Sequence, residues 1–169
     1  MRTSVDEIAE GVYRISTFVP EIAPPAGFTF NQFLIAAEQV RRAVRNINTP
    51  HVPHNWEARV LFEEHTRTLF CGDLFTQLGD GPAVTEEDLV EAALESEQLF
   101  RQTSCLTAAV ATLRSLAALE PRTLAVMHGS SFRGDGAAAL RAMADGLEQR
   151  FGPEADFVAV PSVLAGPHP

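Results

Sequence analysis

Apolar and polar residues alternate along the first third of the chain. Gly11-Val12-Tyr13-Arg14-Ile15-Ser16 changes character at almost every step, and Phe28 to Ile35 is rich in aromatic and branched residues, so both runs are predicted strands. Pro20, Pro24, Pro25 and Gly27 fall between them. Each proline lacks the amide donor that a ladder needs, which predicts a loop there. From Ala36 to Asn48 the residues Val40, Ala43, Val44 and Ile47 recur at helical spacing among Arg41, Arg42 and Arg45, predicting one short helix. Ala58 to Phe62 and Thr68 to Cys71 are strand-like runs on either side of the polar Glu63 to Arg67, the pattern of a hairpin.

The helical period then takes over. Thr85 with Glu86, Glu87 and Asp88 is a predicted helix start, because a hydroxyl can cap free amides and acids suit the positive end of the dipole. Leu89, Val90, Ala93, Leu94, Leu99 and Phe100 carry that helix to about Gln102, and Leu106 to Leu119 forms a second, closed by Pro121. Thr123 to Met127 is a short apolar run, as expected of a strand covered on both faces, and it delivers His128-Gly129-Ser130 to its carboxyl end. Gly134-Asp135-Gly136 reads as a turn and helix start, without the glycine pattern and lysine of a phosphate loop. Ala137 to Phe151 is a third helix, Phe157 to Val160 a last strand, and Gly166 to Pro169 a frayed tail. The order is that of a layered α/β fold, and 169 residues suit one domain.

Charge narrows the range of partners. Thirteen basic against twenty-two acidic side chains leave a net charge of −9, which works against nucleic acid and anionic lipid. The N-terminus has no apolar leader and no stretch approaches the roughly 20 apolar residues that span a bilayer, so a cytoplasmic protein without membrane contact is expected. Cys71 and Cys105 lack the paired spacing of a zinc ribbon or disulfide framework and read as small buried side chains. No Gly-x-Ser-x-Gly elbow is present, so covalent catalysis has little support.

Three residues combine a ligand-type side chain with a loop at a strand end: His54, Asp73 and His128. Their surroundings, Thr49-Pro50-His51-Val52-Pro53-His54-Asn55-Trp56, Leu69-Phe70-Cys71-Gly72-Asp73-Leu74-Phe75 and Met127-His128-Gly129, resemble three ordered metal motifs of the metallo-β-lactamase superfamily. Ile8 to Ile15 resembles the first hairpin of that family, and Asn31 to Ile35 the strand that follows. The Cys-Gly-Asp-Leu-Phe run and the Pro-His-Asn-Trp neighbourhood are most similar to its flavodiiron, oxygen-binding di-iron branch. The resemblance implies that His54 and His128 bind one metal each, and that Asp73 bridges the two and is the central catalytic carboxylate.

The same resemblance exposes a gap. The family's first metal motif, His-x-(His or Glu)-x-Asp-His, belongs between Ile35 and His54, yet residues 36–50 hold no histidine and Glu38 as their only acid. The expectation is therefore a truncated metallo-β-lactamase-like layered fold, residues 1–169 forming a single domain with an internal deletion between about 36 and 50. Each metal would keep two protein ligands where zinc or iron normally takes three or four. Zinc or iron is expected in substoichiometric amount, with His54, Asp73 and His128 as a reduced ligand set and His51 as a candidate fourth member. His65, in a polar turn, and His168, in the tail, read as solvated. The implied activity is that of a metal-dependent hydrolase or di-iron oxidoreductase homologue with an incomplete site, weakly active or inactive. No flavin domain is present, so an oxidoreductase would need an electron donor from outside. The alternative is a non-catalytic remnant or subunit. Loss of a central block uncovers apolar sheet surface, which a homo-oligomer or partner chain would cover.

Overall fold

A computed structural model describes residues 2–36, 43–49, 52 and 58–152. Strands β1 (Arg2–Ala9), β2 (Val12–Val19) and β3 (Phe28–Ile35) make an antiparallel sheet in the order β1-β2-β3. Its two faces follow from the period of two: Val12, Arg14 and Ser16 are buried, whereas Tyr13, Ile15 and Thr17 between them are half-buried. Tyr13 pairs with Leu34, Ile15 with Gln32 and Thr17 with Phe30, so these six share the outer face.

The second sheet contains β4 (Val44–Asn48), β5 (Arg59–Glu63), β6 (Thr68–Gly72), β7 (Val84–Thr85), β8 (Thr123–Val126) and β9 (Ser131–Arg133), in the order β4-β5-β6-β8-β9-β7. The predicted hairpin is present as antiparallel β5 and β6. Its turn is tied by Glu63, fully buried, whose carboxylate accepts from the amides of His65 and Thr66, both at 2.9 Å. Strands β6 and β8 are parallel. Parallel neighbours need a long crossover, and α1 (Val90–Phe100) and α2 (Leu106–Ala117) lie within it. Helix α3 (Gly136–Phe151) follows β9, its first turn capped by Asp135, which accepts from the Ala138 amide at 2.8 Å.

Alternation along the central strands sorts the core into two halves. Leu69, Cys71, Leu124 and Val126 face Leu94, Leu113, Leu116, Leu140 and Leu147 of the helices. Phe70 and Ala125, one residue out of phase, face Ile8, Val12 and Phe33 of the three-stranded sheet. Three layers result: helices, six-stranded sheet, three-stranded sheet. The outer face of the last layer has no helix packed over it among the described residues, and Val5 is 64%, Leu34 55% and Phe30 40% exposed there.

Two expected elements are corrected. Val44–Asn48 is a strand, not the end of a helix over 36–48, because pairing with β5 satisfies its backbone and the branched Val44 and Ile47 suit an extended chain. Helix α1 begins at Val90 rather than near Thr85, since Val84 and Thr85 pair with β9 and Asp88 takes the capping role, accepting from the Val90 amide at 2.8 Å. Residues 37–42, Phe157 to Val160 and the tail from Gly166 lie outside the described residues.

Candidate functional site

Because β6 and β8 are parallel neighbours, their carboxyl ends open on the same edge of the sheet. Asp73 follows β6 and His128 follows β8, and the two side chains meet: His128 Nε2 lies 2.8 Å from Asp73 Oδ1. Both are mostly enclosed, at 10% and 17% side-chain exposure. His128 Nδ1 lies 2.6 Å from the Thr29 carbonyl, which can only accept, so Nδ1 carries a proton and Nε2 is left to face the carboxylate. The imidazole stacks on Phe28 with centroids 4.3 Å apart and meets the edge of Phe30 at 5.3 Å. Its orientation is therefore set by a hydrogen bond on one nitrogen and by aromatic walls.

The backbone around His128 is held by residues of the three-stranded sheet and of the loop after β6. Thr29 Oγ1 accepts from the Gly129 amide at 2.7 Å, and Asn31 Nδ2 donates to the carbonyls of Val126 and Gly129 at 2.8 and 2.9 Å. Arg14 Nη2 donates to the Gly129 carbonyl at 3.0 Å, and the Gln77 amide donates to the His128 carbonyl at 3.0 Å. Burial pulls the Arg14 pKa down, while Asp6 and Asp80 push it back up. Gly129 has φ +94°, and a Cβ there would stand 2.7 Å from Gln77 Cβ. On the Asp73 side, Phe75 is buried with φ +64°, a left-handed conformation that costs a bulky residue of the order of 1–3 kcal/mol. Thr29, Asn31, Arg14 and Gln77 escaped the sequence reading. The signal lay in phase: Arg14 falls between Val12 and Ser16 on the inward face of β2, where a charge needs a reason.

Beside Asp73 runs a narrow cleft of about 20 Å³, room for little more than a water, with Thr76, Ser96 and Glu97 among its polar walls and Leu113 and Met143 at its apolar side. Glu97 Oε1 accepts from the Thr103 amide at 2.8 Å, so the second carboxylate of the cleft ties the segment after α1.

Of the four candidate ligands, Asp73 and His128 are brought together, while His51 and His54 lie outside the described residues. His65 sits far from them on the β5–β6 turn, half-exposed, with Nε2 3.8 Å from Glu10. Among the described residues no three His, Cys, Asp or Glu side chains gather as a metal site. Asp73 and His128, the two candidate donors among the described residues, do not by themselves make up a binuclear centre. No described helix is long and apolar enough to cross a membrane.

Solved structures with a similar fold share one character. The Flv1 flavodiiron core from Synechocystis aligns with a TM-score of 0.70 over 88% of this chain and 61% of that one, at 13% identity. A diflavin flavoprotein fragment from Nostoc gives 0.69 over 88% and 96%, also at 13%. The fold is that of the flavodiiron metallo-β-lactamase core. Rubredoxin oxygen:oxidoreductase from Desulfovibrio gigas agrees, with a TM-score of 0.65 over 86% of this chain and 62% of that one at 14% identity. Against the Flv1 core and the rubredoxin oxygen:oxidoreductase the chain spans about three fifths of their length, and the antiparallel sheet, the mixed sheet and the three helices among the described residues form a truncated version of the flavodiiron-type α/β fold. No protein-family model and no curated protein matches the sequence.

Proposed function

We propose that this chain is a single flavodiiron-type metallo-β-lactamase-fold domain that retains part of a metal centre, a homologue of metal-dependent hydrolases or di-iron oxidoreductases with little or no activity of its own. The observation that carries this reading is the 2.8 Å contact between His128 and Asp73 at the carboxyl ends of two parallel strands. A histidine oriented by a carbonyl on Nδ1 and presenting Nε2 beside a carboxylate is the arrangement in which a protein holds a ready metal ligand. His54, and after it His51, are the proposed further donors. Asp73 is the proposed central carboxylate, and iron the ion favoured by the flavodiiron-type fold, with zinc as the alternative. Resident iron or zinc would supply activation of water or dioxygen. The His128 and Asp73 side chains would anchor it, and Phe28 and Phe30 would keep bulk water from the imidazole face. The reading includes a deletion between about 36 and 50, a cytoplasmic setting and, for redox work, an electron donor on another protein.

Elemental analysis of the purified chain after dialysis against a chelator tests it, together with zinc and ferrous titrations. At most one weakly held ion per chain is expected, and Asp73→Asn and His128→Gln should each weaken binding about 10-fold or more. Two ions surviving the chelator, or binding indifferent to both substitutions, would overturn the reading. The outer face of the three-stranded sheet, with no helix packed over it among the described residues, favours a second reading, a non-catalytic subunit whose missing layer comes from another chain.

A further inference from the structure

Arg14 stands on the inward face of β2 at 2% exposure, in the same boundary between layers where Ile8, Val12 and Phe33 meet Phe70 and Ala125. Register sets it opposite Asp6 of β1 and Phe33 of β3. Its guanidinium crosses to the loop after β8. There Nη2 donates to the Gly129 carbonyl at 3.0 Å, while Nε, also buried, meets no acceptor among the described residues. Asp6 and Asp80 attract the cation through space, but Asp6 accepts from the Ser4 hydroxyl at 3.0 Å and Asp80 is bonded by Arg2.

Stability does not account for this arrangement. A buried guanidinium without a bonded carboxylate costs more than one charge-assisted hydrogen bond recovers. The Gly129 carbonyl does not depend on it either, because Asn31 Nδ2 donates to the same oxygen at 2.9 Å. A charge kept where an apolar side chain would fit better marks a place where function sets the residue. We propose that Arg14 is a positioning residue for His128, fixing the peptide that follows the histidine so that the imidazole stays against Asp73.

Its leverage comes from where that peptide lies. Gly129 turns the chain at φ +94° directly after His128, so the tilt of its peptide governs where the histidine ring falls. Thr29 holds the Gly129 amide at 2.7 Å and Asn31 the carbonyl, but both belong to β3, an edge strand of the three-stranded sheet. Bonds from one strand leave the peptide able to rock about it. Arg14 adds a support from β2, the middle strand. On the far side the Ser130 amide meets Gln77 Oε1 only at 3.3 Å, a long bond that constrains the loop less.

The inference rests on the reading of His128 as a metal ligand for its purpose, whereas its first test needs no metal. In metal-free wild type the His128 Nδ1 proton, bonded to the Thr29 carbonyl at 2.6 Å, should give a single, slowly exchanging nitrogen-15 NMR signal. Arg14→Met removes the charge and keeps an apolar stem. It should melt no more than about 2 °C below wild type, while exchange of the Nδ1 proton quickens about tenfold or more. Zinc titration should show the dissociation constant raised about 10-fold, the effect expected of a group that orients a ligand without touching the ion. Arg14→Lys, which keeps a charged donor, should return both readouts to within about threefold of wild type. Unchanged Nδ1 exchange in the methionine variant overturns the proposal. So does a melting temperature lowered by more than about 5 °C, which would make Arg14 a stabilising residue, or a lysine variant no better than methionine. A wild type that binds no zinc defeats the metal reading alone, and the exchange measurement still decides the role of Arg14.

Discussion

Replacing Thr29 with valine tests whether the loop bearing His128 is held as the geometry says. Thr29 is fully buried, and its hydroxyl accepts from the Gly129 amide at 2.7 Å. Valine keeps the volume and removes the acceptor, leaving that amide unpaired in a place that water does not reach. An orphaned buried donor costs about 1–3 kcal/mol, and the added methyl returns up to about 0.8 kcal/mol, so a net loss of about 1–2 kcal/mol is expected. For a chain of this size that lowers the melting temperature by about 2–8 °C. Thr29→Ser separates the hydrogen bond from the packing: it also loses stability, by about one methyl's worth, but keeps the acceptor. The decisive assay is amide exchange at Gly129, which should quicken about tenfold or more in the valine variant and stay slow in the serine variant. The backbone carbonyl of Thr29 survives both changes, so His128 keeps its tautomer and metal binding should fall less than in His128→Gln. A valine variant that melts within about 1 °C of wild type with Gly129 exchange unchanged would refute the argument, since the polar clamp would then contribute nothing.

Gly129→Ala should be more damaging, about 2–3 kcal/mol in a thermal or urea melt, because φ +94° strains any side chain and the new Cβ meets Gln77 at 2.7 Å; an unchanged midpoint would count against the tight approach of the two loops. Burial pushes the Cys71 thiol far above its ordinary range. A native-state thiol titration at pH 8 should therefore find Cys105 alone, and denaturant should release the second thiol. Since the folded pKa of Cys71 is raised, its effect is absent below the unfolded value near 8.5–9; above it the unfolded chain loses a proton that the folded chain keeps, and stability falls by up to about 1.4 kcal/mol per pH unit. The chain has no lysine to obscure this window, and Cys71→Ala should flatten the urea midpoint between pH 8 and 10.

Local pattern was enough for the elements with one dominant period. The alternation at Val12 to Ser16, the apolar Leu124 to Val126 and the amphipathic faces of α2 and α3 all appear where the residues predict them. It misled at Val44–Asn48, where spacings of three and four mimic a helix and a neighbouring strand decides otherwise. The start of α1 shifted for a similar reason, as Thr85 was claimed by β9 before it could cap a helix.

What the sequence determined by itself was the kind of residue at each strand end: a carboxylate after Gly72, an imidazole after Met127, and no ligand-rich motif between 36 and 50. These are one-dimensional facts that depend on order and spacing. That Asp73 and His128 touch was decided by the parallel pairing of β6 and β8, which brings residues 55 positions apart to one edge. Only the tertiary structure could enlist Thr29, Asn31 and Arg14 around them, because those residues belong to a different sheet and act across the layer boundary. The sheet face that no described helix covers was likewise invisible in composition. Its residues alternate like those of any half-buried strand, and whether the second side is covered depends on what packs there, which no strand encodes in its own sequence.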